Sequence, residues 1–553
     1  MWGPSHQHRR PPGRGGLPVL VVLIAIVTIA FELFTHRLAA HGALGAAGST
    51  LHTMLRFALL LALGAIGWRV APHIRPWARA MRPTHGARLA GSPDPAQAVR
   101  EHVRALGGGA FLGFASGGGW VTADPEHAVL VLGPPRSGKT SAIVIPAMLA
   151  ASGAAVSTST KRDVLDATLG ARAQLGQVWL FDPAGALQQP PPGARRLSWS
   201  PVAAAPSWDE ALTIARAMGN APPGQGTSHE SHWRERSSAL LAPLLLAANL
   251  GGLTVSDVLR WVLRHELDPA RAVLEDADEP VACDVLAGIL NTEGRERSSI
   301  LSASAGVLSA YNARSARDAA ATPNFDPARF VHGTDTVYIT APAHRQALAA
   351  PLVVGLLEQI RHAAYARAAP AGSPPVLMCL DELANIAPIH DLPALVSEAG
   401  GQGLHVLACL QDLSQARKRW GESSADGLLS LFQTKLVLDG IADSRTLEAL
   451  SLSLGEYDRR VVSHSIGRNA TDRFFSGDPA TSNESVSYST SRQRVLSPGE
   501  IARLPAGRGL LLRGTRWELL QLAPWYRHEP WRSIAQIDAA TGAMAAGERP
   551  RVG

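Results

Sequence analysis

Residues Gly133–Ser141, GPPRSGKTS, constrain this chain more than any other stretch, because they follow the apolar run AVLVL (Ala128–Leu132) and open a segment of helical character. A glycine-containing turn between strand and helix, closing on Gly-Lys-Thr, is the P-loop pattern, and the strand and helix around it are the context that phosphate binding requires. Gly133 and Gly138 let the backbone fold around phosphates, so that amide groups and the helix N-terminus face the negative charge. The expected nucleotide cradle is therefore Gly133, Pro134, Pro135, Arg136, Ser137, Gly138, Lys139, Thr140 and Ser141. Within it Lys139 reaches the β and γ phosphates, and Thr140 places its hydroxyl on Mg²⁺.

A P-loop needs a partner strand, and VLMCLDE (Val376–Glu382) supplies a candidate, an apolar run that ends in two acids. Asp381 would hold the Mg²⁺ shell through water, while Glu382 would act as the base that polarises the attacking water, a role suited to ATP hydrolysis rather than kinase transfer. Taken alone, such a run is more often a strand meeting solvent. Paired with the P-loop, the hydrolytic reading is favoured. A third run, HVLACLQD, places Gln411 at its end, where motors of the RecA type carry a polar γ-phosphate sensor; the bland alternative is a surface glutamine.

Short apolar runs recur at Val178–Phe181, Thr336–Thr340, His405–Leu410 and Lys435–Leu438, each bounded by helical segments. This alternation predicts an α/β fold with a parallel sheet covered on both faces and ligands at the carboxyl ends of the strands. From Trp208 to Arg317 the pattern changes to Ala/Leu-rich helical segments with few β-branched runs, which predicts an all-helical insertion. Pro/Gly-rich loops are expected at 189–193, 221–227 and 370–375.

The N-terminus reads differently. Residues 17–34 form an apolar run whose 18 residues would span about 27 Å as a helix, close to a bilayer core of ~30 Å. A second stretch, residues 51–70, is interrupted by His52 and Arg56. Basic residues precede the first run and follow the second, whereas the short loop between them carries only Arg37. By the positive-inside rule both flanks face the cytoplasm, so two anchors with the bulk of the chain inside the cell are expected. A cleaved signal peptide is the alternative, and it would strand the ATP site outside the cell. The net charge of +6 permits an anionic partner without establishing one. Cys283, Cys379 and Cys409 are odd in number and lack zinc or disulfide spacing, and read as buried, reduced thiols.

These residues give the chain a resemblance to the TraG/TraD-type coupling proteins of type IV secretion, the ATPases that hand relaxase-bound DNA to a transfer channel. It covers roughly residues 120–527 and is most specific over Leu380–Gly421, LDELANIAPIHDLPALVSEAGGQGLHVLACLQDLSQARKRWG, with support from VWLFDPAG, SWSP and the ending LSPGEIARLPAGRGLLLRGTRWELLQLAPWY. In that ending Ser497 and Glu500 form a candidate capping box, before a hairpin at Arg513–Arg516.

The resemblance implies a RecA-like P-loop ATPase domain with an inserted all-α domain, preceded by two transmembrane helices, and a homo-hexameric ring. It also implies ATP and Mg²⁺ as cofactors, DNA or a relaxase–DNA complex and type IV secretion channel proteins as partners, and attachment to the bacterial inner membrane. The expected boundaries are a membrane anchor over 1–72, a basic juxtamembrane linker over 73–115, and the two parts of the ATPase domain over 116–205 and 330–527. The all-α domain takes 206–329 and a C-terminal tail, flexible or frayed, takes 528–553.

Two departures stand out. Ser159–Asp163 keeps Lys161 but changes its neighbours, and Gly400, Gly401 and Gln402 stand where relatives commonly carry a Gly-Arg pair. An arginine finger contributes ~10³ to 10⁵ in rate. Arg417, Lys418 and Arg419 are candidates to supply one, although a solvated helix face is the favoured reading of that run. Three functions stay open at this stage: a DNA-translocating ATPase, an ATPase exporting protein effectors, and a membrane docking platform with negligible turnover.

Overall fold

The computed structural model describes residues 89–537 apart from residues 188, 222–227, 369, 371 and 469–481. These belong to one unit of the chain, Thr84–Gly553, whereas the other unit, Met1–Pro83, lies outside the described residues, as do both expected membrane spans. No helix among the described residues is long and apolar enough to cross a membrane.

The apolar runs form strands, in chain order β1 (Phe111–Phe114), β2 (Trp120–Thr122), β3 (Val129–Leu132), β4 (Ala155–Ser159), β5 (Val178–Phe181), β6 (Ala194–Arg196), β7 (Thr336–Thr340), β8 (Val376–Leu380), β9 (Leu404–Leu410) and β10 (Thr434–Leu438). Four more follow: β11 (Glu456–Arg468), β12 (Ser482–Arg494), β13 (Arg508–Arg513) and β14 (Arg516–Gln521). Twelve of them make one sheet in the order β2-β1-β14-β13-β10-β3-β9-β8-β4-β7-β5-β6. From β10 to β6 every pairing is parallel. The parallel sheet expected from the sequence continues at its other end into β13, β14, β1 and β2, which pair antiparallel, the hairpin expected at Arg513–Arg516 among them. Between β13 and β14 the cause is local: Gly514 takes φ +56°, which allows a tight hairpin where a parallel connection would need a long crossover.

Strand residues alternate between two hydrophobic cores. Leu130, Leu132, Val156, Val337 and Met378 face one core, and Val129, Val131, Ala155, Leu377 and Leu407 face the other. Burial on both faces explains why these strands are continuously apolar.

Between β6 and β7 the described residues form helices and no strand, from Trp208–Gly219 to Pro327–His332. The long helix Ser228–Leu250 buries Leu240, Leu241, Leu244, Leu245 and Leu246 among its neighbours, in the same core cluster that runs beneath the sheet. Ser207 caps the first helix and Thr254 with Asp257 forms a capping box on another.

Three sequence expectations change. The linker expected over 73–115 already contains the helix Pro95–Ala105, capped by Asp94, and the strand β1 of the main sheet. The tail expected from 528 begins with the helix Trp531–Ala535, in which Trp531 is fully buried against Phe111 and Trp120. These short elements are fixed by tertiary aromatic packing, for which the local sequence has no periodicity. Cys379 and Cys409 are buried, but Cys283 is only half-buried, because it lies on the flank of an outer helix of the insertion.

Arg172 is fully buried on the helix Asp163–Ala173. Its guanidinium donates to Thr336 Oγ1 at 2.7 Å and to the carbonyls of Ala151, Gly153 and Thr334 at 2.5, 2.8 and 3.1 Å. Burial lowers its pKa to about 10, which leaves it charged at neutral pH. β11 and β12 form a separate two-stranded ribbon anchored at its base, where Arg494 meets the Glu448 carboxylate in a bidentate pair.

Candidate nucleotide site

The P-loop starts where β3 ends. The Gly133 N–H donates to the carbonyl of Leu410 at 3.2 Å, which ties the loop to the end of β9. A Cβ at Gly133 would stand 2.6 Å from Ser137 Oγ and 2.9 Å from Leu438 Cβ, so only glycine fits. The backbone turns at Arg136, φ +66°, and Gly138, φ +98°. Glycine adopts that conformation freely, but for arginine it costs on the order of 1 kcal/mol, a strain typical of ligand-holding turns.

The helix then opens as a π turn, Lys139–Val144, with the Ile145 N–H bonded to the Thr140 carbonyl, and continues as the α-helix Ile145–Ala150. Pro146 accounts for the wide turn. It has no N–H to donate, and in an α register its ring would press on the carbonyl of Ala142.

Lys139 is 7% exposed, and its ammonium donates to the carbonyls of Gly133 and, at 2.9 Å, Pro134. The charge is thus held inside the loop. The Thr140 hydroxyl donates to Asp381 Oδ2 at 2.6 Å, although 241 residues separate the two. Strand order explains the meeting: β9 lies beside β3 and β8 beside β9, so the end of β8 delivers Asp381 to the loop. Thr158 at the end of β4 donates to the Asp381 carbonyl at 2.8 Å and fixes the strand end from the other side.

Asp381 is 5% exposed, and burial raises its pKa to about 6, against the hydrogen bond from Thr140, which lowers it. Glu382 follows in the left-handed conformation, φ +57°, half-buried, and its Oε2 accepts from Asn385 Nδ2 at 3.1 Å. Gln411 lies at the end of β9 beside Gly133, with its own N–H bonded to Gln415 Oε1 at 2.9 Å. The structure therefore gathers Lys139, Thr140, Asp381, Glu382 and Gln411 at the carboxyl ends of β3, β8 and β9.

The site fits a magnesium nucleotide on its own chemistry. Thr140 and Asp381 offer hard oxygens, and Ser137 Oγ is buried without a partner at the turn of the loop. Magnesium takes one or two protein oxygens and fills its shell with phosphates and water. Among the described residues there is no group of three or more His, Cys, Asp or Glu side chains placed to hold a metal ion.

Asn385 and Thr158 were missed from the sequence; the spacing Asp381-Glu382-x-x-Asn385 held the only signal for the first. The run Arg417–Arg419 needs correction, because two of its members are neither solvated nor free to act as fingers. Arg417 pairs with Asp443 at 2.5 Å, and Arg419 donates to the carbonyl of Ala221 from a site whose burial lowers its pKa to about 10. Lys418 is exposed, as is Lys161. At position 400 a Cβ would lie 1.9 Å from the Glu126 carbonyl oxygen, whereas position 401 has no atom within 4 Å. Glycine is thus required at 400 and is not required at 401.

One prediction follows from Asp381. Burial raises its carboxyl pKa from the ordinary 3.8 to about 6, so the folded state holds the proton more tightly than the unfolded chain does. Ionisation in the fold then costs about 3 kcal/mol, a cost absent below about pH 4 and complete above about pH 6. Asp381→Asn, which can still accept from Thr140, is expected to raise the thermal midpoint at pH 7.5 without magnesium or nucleotide. The gain should shrink as pH falls towards 4. A midpoint difference that is constant across this range would rule out the buried carboxylate as its source.

Comparison with known proteins adds to this geometry. The profile of a family described as "Type IV secretory system Conjugative DNA transfer" matches residues 94–533. The conjugal transfer protein TraG of Escherichia coli is 25% identical over 350 residues, which cover 55% of this chain and 52% of TraG. The chain thus spans about half the length of this curated relative.

Among solved structures, the unbound bacterial conjugative coupling protein TrwBΔN70 superposes with a TM-score of 0.56 at 20% identity, covering 76% of this chain and 91% of that one. Plasmid coupling protein TrwB in complex with the ATP analogue ADPNP gives 0.54 at 21% identity, over 72% and 86% of the two chains. TrwB in complex with ADP and Mg²⁺ gives 0.54 at 21% identity, over 74% and 87%. At these identities the likeness speaks for a shared fold.

Proposed function

Because the chain belongs to the type IV secretory system conjugative DNA transfer family, we propose that it is a membrane-anchored ATPase that couples DNA, or a relaxase–DNA complex, to a secretion channel and drives its transfer by ATP hydrolysis. The observation that carries this reading is the 2.6 Å contact between Thr140 and Asp381, which joins the P-loop to the acidic strand end. TrwB, of the same fold, is known in complex with ADPNP and with ADP and Mg²⁺, which supports the choice of ligand.

In this reading Lys139 binds the β and γ phosphates, Thr140 and Asp381 hold Mg²⁺, Glu382 takes a proton from the attacking water, and Gln411 reports the γ-phosphate. When bound, Mg²⁺ would neutralise charge on the phosphates. Asn385 orients the Glu382 carboxylate. We further propose a homo-hexameric ring at the bacterial inner membrane, anchored through residues 17–34 and 51–70, with channel proteins as partners. A closed heterologous ring is the assembly that would bring a neighbour's residues to each site.

A second reading, a docking platform that binds ATP with little turnover, draws on one specific observation: Arg417 and Arg419 are committed to internal contacts, and no arginine stands at 400–402.

The test is the ATPase rate of the full chain in detergent with and without single- and double-stranded DNA. The motor reading predicts DNA stimulation whose half-saturating DNA concentration rises by orders of magnitude as salt rises from about 50 to about 200 mM, because grip on phosphates releases counterions. Bound ATP with no hydrolysis under any condition would favour the platform.

A further inference from the structure

The residues assigned above serve the phosphates and the metal, and none serves the nucleoside. The segment after β14 stands where a nucleoside would emerge. The backbone N–H of Trp525 donates to the carbonyl of Ser141 at 3.0 Å, which fastens this segment to the first turn of the P-loop helix.

Direction follows from the sheet. Gln411 and the pair Asp381 and Glu382 come from β9 and β8, on one side of β3, while β10, β13 and β14 lie on its other side. Lys139 and Thr140 serve the β and γ phosphates, so the α-phosphate belongs beyond them, by Ser141. The nucleoside then leaves away from β8 and towards the chain that follows β14.

That chain presents aromatic surface. Trp525 is half-buried and packs on the core of that face. Tyr526, also half-buried, meets Trp525 edge-on, with ring centroids 5.9 Å apart and an interplanar angle of 89°. The exposed Arg527 holds its guanidinium 5.4 Å from the centre of the Tyr526 ring. A tyrosine steadied by a tryptophan and a guanidinium suits stacking on a heteroaromatic ring, which any base offers through its π face.

We propose that Tyr526, backed by Trp525 and Arg527, is the platform on which the base of the bound nucleoside triphosphate stacks. The inference rests on the ATP-site reading. Inorganic tripolyphosphate, which has phosphates and no base, separates the two.

Equilibrium binding of ATP and of tripolyphosphate, both with Mg²⁺, should be measured on the full chain, on Tyr526→Ala, on Tyr526→Phe and on Lys139→Ala. Tyr526→Ala is expected to weaken ATP about tenfold and leave tripolyphosphate unchanged, Tyr526→Phe to retain ATP affinity, and Lys139→Ala to weaken both ligands. If the parent binds neither ligand, or if Lys139→Ala affects neither, the ATP site itself is wrong and the platform falls with it. If Lys139→Ala behaves as expected while Tyr526→Ala weakens both ligands alike, or neither, the ATP site stands and the platform is overturned.

Discussion

Glu382→Gln is expected to lower ATP turnover by about 10² to 10⁴-fold while ATP binding stays within a few-fold of the parent chain. The amide keeps the shape and the contact with Asn385 but cannot take a proton from water, and that range is the usual contribution of a positioned general base. Lys139→Ala should abolish turnover by another route, since it removes the cation held inside the loop and with it phosphate affinity. Single-turnover hydrolysis beside equilibrium binding distinguishes the two variants. Asn385→Ala should lie between parent and Glu382→Gln, because the carboxylate remains but is no longer steered. Near-parental turnover for Glu382→Gln would remove this residue from the base role and direct the search to another acid near the loop.

Arg172→Ala is expected to destabilise the fold by about 3 to 5 kcal/mol. Its guanidinium is fully enclosed and satisfies three carbonyls and a hydroxyl, two of those carbonyls just past the end of the P-loop helix. Truncation leaves these acceptors buried without donors. Arg172→Lys should recover little, because one ammonium cannot span the fan that the planar guanidinium covers. Chemical denaturation at pH 7 gives the measurement, and a loss below about 1 kcal/mol for both variants would show that water enters and replaces the side chain.

Legibility in the sequence tracked the range of the forces involved. The P-loop, the acidic strand end and Gln411 could be read because each lies where an apolar run stops at a polar residue, and strand burial enforces that boundary. The helical insertion was legible from composition, and the capping box at Ser497 and the hairpin at Arg513–Arg516 from local turn chemistry. β1 and β2 escaped notice, being only four and three residues long, with their place set by Phe111, Phe114 and Trp120 packing with Trp531, which is remote from them in sequence. Arg172 was equally invisible, as its acceptors come from two stretches of chain, 151–153 and 334–336, both remote from it in sequence. The basic run Arg417–Arg419 misled because charge alone does not reveal partners such as Asp443 or the Ala221 carbonyl.

The helical insertion leaves the sheet after β6 and returns at β7, and both of these strands pair with β5. Its two points of attachment are therefore neighbours, separated by one strand on the flank of the sheet remote from β3. Such a module can lengthen, shorten or change its surface over evolution while the strands that carry Lys139, Asp381 and Gln411 keep their register. The insertion and the nucleotide-site strands are in this way free to diversify at different rates within one chain, much as a tool head is changed without rebuilding the engine behind it.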